Sequence, residues 1–332
     1  MKKIFIFCCF IFIFASHAQG GSEKIRIAVE FVTHAASAQI AKAKGWYEEA
    51  GLEVETFDSY VNGMALASAL SRGEVNAAYI CLSPAINAYA NAKVPLKIVT
   101  GLHWYGYSLV INPKKIKKVE DLNSPKINIG VVKDGSGADG MFNMVVEKYN
   151  LDKSIYKRIK RMSPAHLLLA LKNGQLDAVA MPEQFPSIAQ EAGFEELVKA
   201  QDVWPKMGGS VLIVTQDLLE KDPDSVKKLV QVTKKGIEFI HSNQEESIKI
   251  VNKHLNVEGE KLYPSHLKNK GVAKDVLANE KSIENSLYHK LFNTHEIDPA
   301  MIQEAIDYQA KWGNIKKSFP ASEILDLRFN NE

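Results

Sequence analysis

Cysteine is scarce. Three of 332 residues are Cys, and two of them, Cys8 and Cys9, lie inside an apolar run at the N-terminus. Cys81 stands alone in the rest of the chain, which excludes a disulfide framework there. Long apolar runs are equally rare. Apart from the N-terminal one, none approaches the about 20 residues a membrane-spanning helix needs. An excess of one charge is missing as well. The formal net charge is +2, and the densest basic stretch, residues 114–118, is broken by Ile116. It reads as a solvated loop, so nucleic acid is not expected as a partner. Catalytic signatures are absent: there is no Gly-x-Ser-x-Gly, no His-Glu-x-x-His, and no Cys-His pair with an orienting partner. His254, His266, His289 and His295 are scattered through helical segments. Neither a metal site nor a cofactor is expected from that pattern.

What is present starts at the N-terminus. Lys2 and Lys3 precede the apolar residues 4–15, and Ser16-His17-Ala18 places small residues two apart, as a cleavage site requires. Basic head, apolar run and small-x-small site make a secretory signal peptide over residues 1–18, cleaved near Ala18. A lipid anchor would need Cys directly after the run, where Ala18, Gln19 and Gly20 stand. An exported protein without an anchor is retained only behind an outer membrane, so the expected compartment is a periplasm.

The remainder is ordinary globular sequence, 46% hydrophobic and 24% charged, and long enough for about two domains. Strand and helix signals alternate. Ile25-Arg26-Ile27-Ala28-Val29 reads as a strand, followed by a helix over about 35–50 that Gly51 closes. Leu52-Glu53-Val54-Glu55-Thr56 is a second strand, Asn62-Gly63 opens a helix reaching Arg72, and Ala77-Ala78-Tyr79-Ile80 is a third strand. Strands separated by helices imply a parallel sheet. The same order then recurs. Ile127-Asn128-Ile129-Gly130-Val131 repeats the first strand 102 residues on, and Asn173-Gly174-Gln175-Leu176-Asp177-Ala178 repeats Arg72-Gly73-Glu74-Val75-Asn76-Ala77 at 101. Two similar α/β lobes in one chain are what a clamshell receptor needs.

Two segments read as the crossings between lobes: the aromatic-led strand over 102–113, and 208–215, which begins Gly208-Gly209. The expected layout is lobe one over 24–110 and 213–332, and lobe two over 111–212. Downstream, Asp222-Pro223-Asp224 starts a long amphipathic helix. Further helices are expected over 244–255 and 299–312.

In open α/β sheets, ligands sit beyond the C-terminal ends of the strands. There the free amides and dipole of helix N-termini favour negative charge. The candidate loops in lobe one hold Thr33 and His34, Asn62 and Gly63, and Leu82 and Ser83. In lobe two they hold Gly135, Ser136, Gly137 and Asp139, and then Glu183. Gly135-Ser136-Gly137 is the best single candidate, because glycine lets the backbone approach a ligand closely; a helix-capping turn is its alternative reading. Asp139 would repel an anion unless it caps the helix or pairs with a ligand amine, and Glu183 raises the same question. Trp104 and Tyr105, with Tyr107, could line a planar ligand or pack between lobes. His34 could hydrogen-bond a ligand or be satisfied internally.

Taken together, Ala41-Lys42-Ala43-Lys44-Gly45-Trp46-Tyr47-Glu48-Glu49-Ala50-Gly51-Leu52-Glu53-Val54, Ala69-Leu70 with Asn76-Ala77-Ala78, Pro84-Ala85, Val119-Glu120-Asp121-Leu122 and Trp312-Gly313 carry a family likeness across the whole chain beyond residue 18. The chain resembles the substrate-binding proteins of ABC importers for nitrate, aliphatic sulfonates, taurine and thiamine-pyrimidine precursors. The resemblance implies an α/β type 2 periplasmic binding fold: two doubly wound lobes joined by two hinge crossings, closing on a small-molecule ligand. It also implies a monomer that delivers this ligand to an ABC permease in the inner membrane. The candidate loops offer no Arg or Lys beyond Lys133, which departs from an anion binder. Asp139, Glu183 and the aromatics tilt toward a planar, nitrogen-bearing ligand such as a pyrimidine. Two other classes share the fold. One is a periplasmic sensor docking on a signalling receptor. The other is an enzyme of pyrimidine or menaquinone biosynthesis; the pyrimidine synthases carry a Cys-rich motif that this chain lacks.

Overall fold

The computed structural model describes residues 23–262 and 275–330. The expected signal peptide and His266 lie outside the described residues.

The first strand, β1 (Ile25–Glu30), is almost wholly buried and lies between β2 (Val54–Tyr60) and β3 (Ala77–Cys81), parallel to both. Its apolar run fits a strand covered on both faces. The connections carry α1 (Ala36–Lys44), α2 (Trp46–Glu49) and α3 (Gly63–Ser71). After β3 come α4 (Leu82–Ala90) and β4 (Leu96–Tyr105). The expected helix over 35–50 is broken at Gly45, whose left-handed backbone ends α1.

The chain then changes sheet. β5 (Tyr107–Ile111) pairs antiparallel with β8 (Ala178–Pro182) and β9 (Glu195–Lys199) of the second sheet. That sheet also holds β6 (Ile129–Val131) and β7 (Lys160–Arg161), and its order is β7-β6-β8-β5-β9. Its helices are α5 (Gly137–Lys148), α6 (Pro164–Lys172), α7 (Phe185–Glu191) and the short α8 (Ala200–Val203). The chain returns through residues 204–207 into β10 (Gly208–Thr215), antiparallel to both β3 and β4. α9 (Gln216–Lys221), α10 (Pro223–Ser242), α11 (Gln244–Leu262), α12 (Glu280–Asn285), β11 (Leu291–Asn293) and α13 (Pro299–Lys311) follow. β11 completes a first sheet of order β11-β4-β10-β3-β1-β2. α1 packs on α10 and α11, and α4 packs on α3 and α13.

The internal repeat extends to register. Ile27 pairs with Ala77 and Val29 with Tyr79; in the second sheet Ile129 pairs with Ala178 and Val131 with Ala180. Each parallel triplet is flanked by an antiparallel strand that has just arrived from the other lobe, β10 in one case and β5 in the other.

The boundaries differ from the expected ones by a few residues. The stretch expected as one strand over 102–113 is two strands in two sheets, so the first crossing is residues 105–107 and the 110/111 boundary falls inside β5. The stretch 208–215 lies entirely in the first sheet, and the second crossing precedes it. The physical reason is Gly106. Its φ is +83°, and an added Cβ would stand 2.4 Å from Leu291 Cδ2 and 2.7 Å from His34 Nε2. A residue with a side chain could not readily take the left-handed turn that leads β4 out of the first sheet and into β5 there. The crossings are tied together, since Tyr105 N donates to Met207 O (3.0 Å) and Tyr105 Oη donates to Pro205 O (2.8 Å).

Candidate functional site in the interlobe cleft

The C-terminal ends of β1, β3, β6 and β8 converge on one small cavity between the lobes. Lobe one lines it with Glu30, Val32, residues 61–64, Cys81 and Pro84; lobe two with Tyr107, Val132, Ser136, Gly137, Ala138, Pro164 and Pro182. Its volume is about 20 Å³, room for about one water. Ligand pockets usually measure about 300–1,000 Å³. The lobes therefore stand closed on each other, and an organic ligand needs them to part.

Glu30 is the charged group in this cavity. It ends β1, is 4% exposed, and its Oε1 accepts from Cys81 N at 2.6 Å. Oε2 accepts from Cys81 Sγ at 3.1 Å. Burial pushes its carboxyl up to about 7, against the pull of the Cys81 bonds. Tyr107 Oη donates to Cys81 Sγ at 2.9 Å, so a chain of bonds runs from lobe two through Cys81 to Glu30. Burial also raises the Cys81 thiol and the Tyr107 phenol well above their usual ranges. Behind Cys81, His34 Nε2 stands 2.9 Å from Gly106 O and its Nδ1 3.6 Å from Cys81 Sγ. The His103 ring lies 4.3 Å from that of His34, tilted by 54°. Burial holds both imidazoles down, His103 to about 4, so both are uncharged at neutral pH.

Helix N-termini of both lobes face the cavity, among them those of α3 and α5. Asn62 caps α3, accepting from Ala65 N at 3.0 Å. Ser136 caps α5, accepting from Asp139 N at 3.2 Å. The amides of Gly137 and Ala138 belong to the first turn, where no helix carbonyl can accept from them. Position 137 must be glycine, because a Cβ there would lie 2.3 Å from Tyr107 Oη.

The other candidates are placed differently. Thr33 N donates to Gln184 Oε1 (3.1 Å) across the lobes, and Thr33 Oγ1 shares a 2.6 Å bond with Ser286 Oγ. Thr33 and His34 thus stand behind the cavity wall. Leu82 and Ser83 are buried in the first turn of α4 and do not line it. Gly135 O accepts from Asn87 Nδ2 (3.3 Å), another lobe-to-lobe bond. Asp139 closes its own loop by accepting from Gly135 N (3.1 Å) and pairs with Arg161 (2.7 Å). Burial raises its carboxyl, with Arg161 pulling against it. The Asp139–Arg161 pair opens on the far side of α5, in a solvent-exposed groove of about 930 Å³ that Trp312 also lines. Glu183 is fully buried and pushed up to about 7 by burial; its Oε2 accepts from Ser187 Oγ at 2.6 Å. Trp104 and Tyr105 face away, with Trp104 against Phe292 and Tyr105 bonded to the second crossing. Of the three aromatics at the first crossing, Tyr107 lines the cavity.

Glu30 and Cys81 line the cavity without being among the candidates expected from the sequence. The available signal was an acid closing the buried strand Ile25–Glu30, since an acid is rarely buried and ligands sit beyond the C-terminal ends of such strands. Among the described residues, no three of His, Cys, Asp and Glu converge as a metal site.

Two lobes of repeated topology, two crossings and one cavity at the strand ends define the periplasmic binding protein fold. Residues 18–255 match the model of the NMT1-like family, and the chain belongs to that family. Binding proteins of Brucella abortus and Brucella suis are 27% identical to it over 223 residues, covering 66% of this chain and 67% of theirs. Among solved structures, the alkanesulfonate-binding protein of Xanthomonas axonopodis pv. citri superposes with a TM-score of 0.72 at 17% identity, covering 92% of this chain and 98% of that one. The nitrate-binding protein of Synechocystis PCC 6803 gives 0.72 at 14%, covering 92% and 86%. A zinc-bound ligand-binding component of an ABC import system from Staphylococcus aureus gives 0.73 at 16%, covering 93% and 98%. At these identities the likeness is one of fold. The family and these neighbours are binding proteins.

Proposed function

We propose that this protein captures a small solute between its lobes in the periplasm and delivers it to the permease of an ABC importer. One observation carries the reading. Equivalent strand ends and helix N-termini of two repeated lobes face a single cavity, and both connections between the lobes pass through short, glycine-containing or irregular segments that can bend. Residues 1–18 act as the export signal and are removed. Among the described residues, no helix is long and apolar enough to cross a membrane, in keeping with a freely diffusing carrier. The ligand-contacting set is Asn62, Gly63, Ser136 and Gly137 together with Glu30, Cys81 and Tyr107. Thr33, His34 and Gly135 support that set, and Gln184 and Asn87 join it across the lobes.

Capture works as a population shift, limited by how much better the ligand binds the closed form than the open one. The test is a thermal-shift screen of small sulfonates, nitrate, bicarbonate, pyrimidines and amines on the mature protein, paired with small-angle scattering. A binding solute should raise the melting temperature and reduce the radius of gyration of an otherwise mixed open and closed population. A single fixed shape with no stabilising solute would remove the reading.

A further inference from the structure

Because the lobes repeat, matching positions confront each other across the cavity. Glu30 at the end of β1 corresponds to Val132 after β6, Cys81 to Pro182, and Gly63 to Pro164. At each pair lobe two presents apolar atoms. Lobe one presents a carboxylate and a thiol.

The carboxylate occupies a telling place. A Cβ added to Gly63 would lie 2.5 Å from Glu30 Oε1, so the acid sits against the first turn of α3, and it also takes the amide of Cys81 at the head of α4. Helix N-termini draw anions to such a spot. Here the protein's own acid holds it, and no Lys or Arg among the described residues lines the cavity to offset a second negative charge. The titratable groups facing Glu30 are Cys81 on β3, Tyr107 on β5, and His34 and His103 behind them, all uncharged at neutral pH. Two of the carboxylate's about four lone-pair directions are used by Cys81. The rest are open to a donor.

We propose that Glu30 selects the ligand of this cleft, and that the captured solute is a small organic cation, an amine or amidinium, whose N–H groups donate to this carboxylate. The inference rests on the solute-capture reading. It accounts for the asymmetry of the walls: one charged anchor in lobe one, opposed by an apolar surface of Val132, Pro164 and Pro182 suited to a carbon skeleton.

The experiment titrates wild-type protein and Glu30→Gln at pH 8 with benzamidinium, methylguanidinium and ethylammonium, and in parallel with methanesulfonate, nitrate and bicarbonate. Calorimetry and melting temperature are the readouts. Cations should stabilise the wild type, and Glu30→Gln should lose at least about tenfold in cation affinity, the scale of one charge-assisted hydrogen bond. A wild-type pH series guards against a variant that fails to fold: cation affinity should rise from pH 6 to pH 8 as Glu30 gives up its proton. Stabilisation of the wild type by anions alone, or equal cation affinity in both proteins, overturns the inference and leaves capture intact. No response to any probe of either sign also overturns this inference, and capture then stands or falls on the wider thermal-shift and scattering test.

Discussion

Glu30 is held by a small number of strong contacts in a place where charge is expensive. Its carboxyl is buried, faces Cys81 and lies against Gly63. Free carboxyls of this kind titrate near 4.5, whereas burial places this one near 7. Between those values the native state binds a proton that the unfolded chain has already lost. The stability contributed by neutral Glu30 is therefore complete below about pH 4.5 and is lost as pH rises toward 7, by at most about 1.4 kcal/mol per unit. Glu183 has the same sign, and His103, held down to about 4, has the opposite one. Subtracting the Glu30→Gln variant isolates one group. The wild-type minus variant difference in unfolding free energy should decline from pH 5 to pH 7 and then level off. Urea melts at half-unit pH intervals measure it, and a difference that stays flat would show that Glu30 is ionised throughout. Asp139 teaches the reverse lesson. A conspicuous acid in a glycine loop reads as a ligand contact in sequence, but its bonds to Gly135 and Arg161 use it to hold the loop in shape.

At the level of elements, two features decide how the lobes move. The first crossing turns on Gly106, flanked by Tyr105 with a positive φ of 63°. Gly106→Ala forces a Cβ into Leu291 and His34 at a dihedral that L-residues avoid. It should destabilise the protein by about 1–3 kcal/mol and change the scattering profile, whereas a variant as stable as wild type would mean that the crossing relaxes freely. The second feature is a latch between α5 and the C-terminal end of α13. Glu147 pairs with Lys311 (2.7 Å) and accepts from Trp312 Nε1 (2.8 Å). The contact is partly exposed, so Glu147→Ala should cost no more than about 1 kcal/mol. Its larger effect should be on geometry. A radius of gyration above that of the wild type in ligand-free solution is expected, and an unchanged radius would assign closure to the buried contacts around Cys81 and Gln184 instead.

For the molecule as a whole, the sequence by itself determined the alternation of strands and helices, the duplication at 101–102 residues and the loops that gather at one cleft. These are local or periodic properties: a buried strand must be apolar, a helix must begin at a cap, and a copied unit keeps its spacing. Tertiary structure alone decided where the chain changes sheet, since residues 102–113 are strand-like in sequence and the left-handed backbone at Tyr105 and Gly106 breaks them. It also decided which candidate side chains reach the cavity. Trp104, Tyr105 and Tyr107 are neighbours in sequence, yet a sheet change between them sends Tyr107 inward and the other two away. The anchor role proposed for Glu30 depends on β1, β3 and α3 coming together, because the field of a helix end and the loss of water around a carboxyl arise from long-range packing.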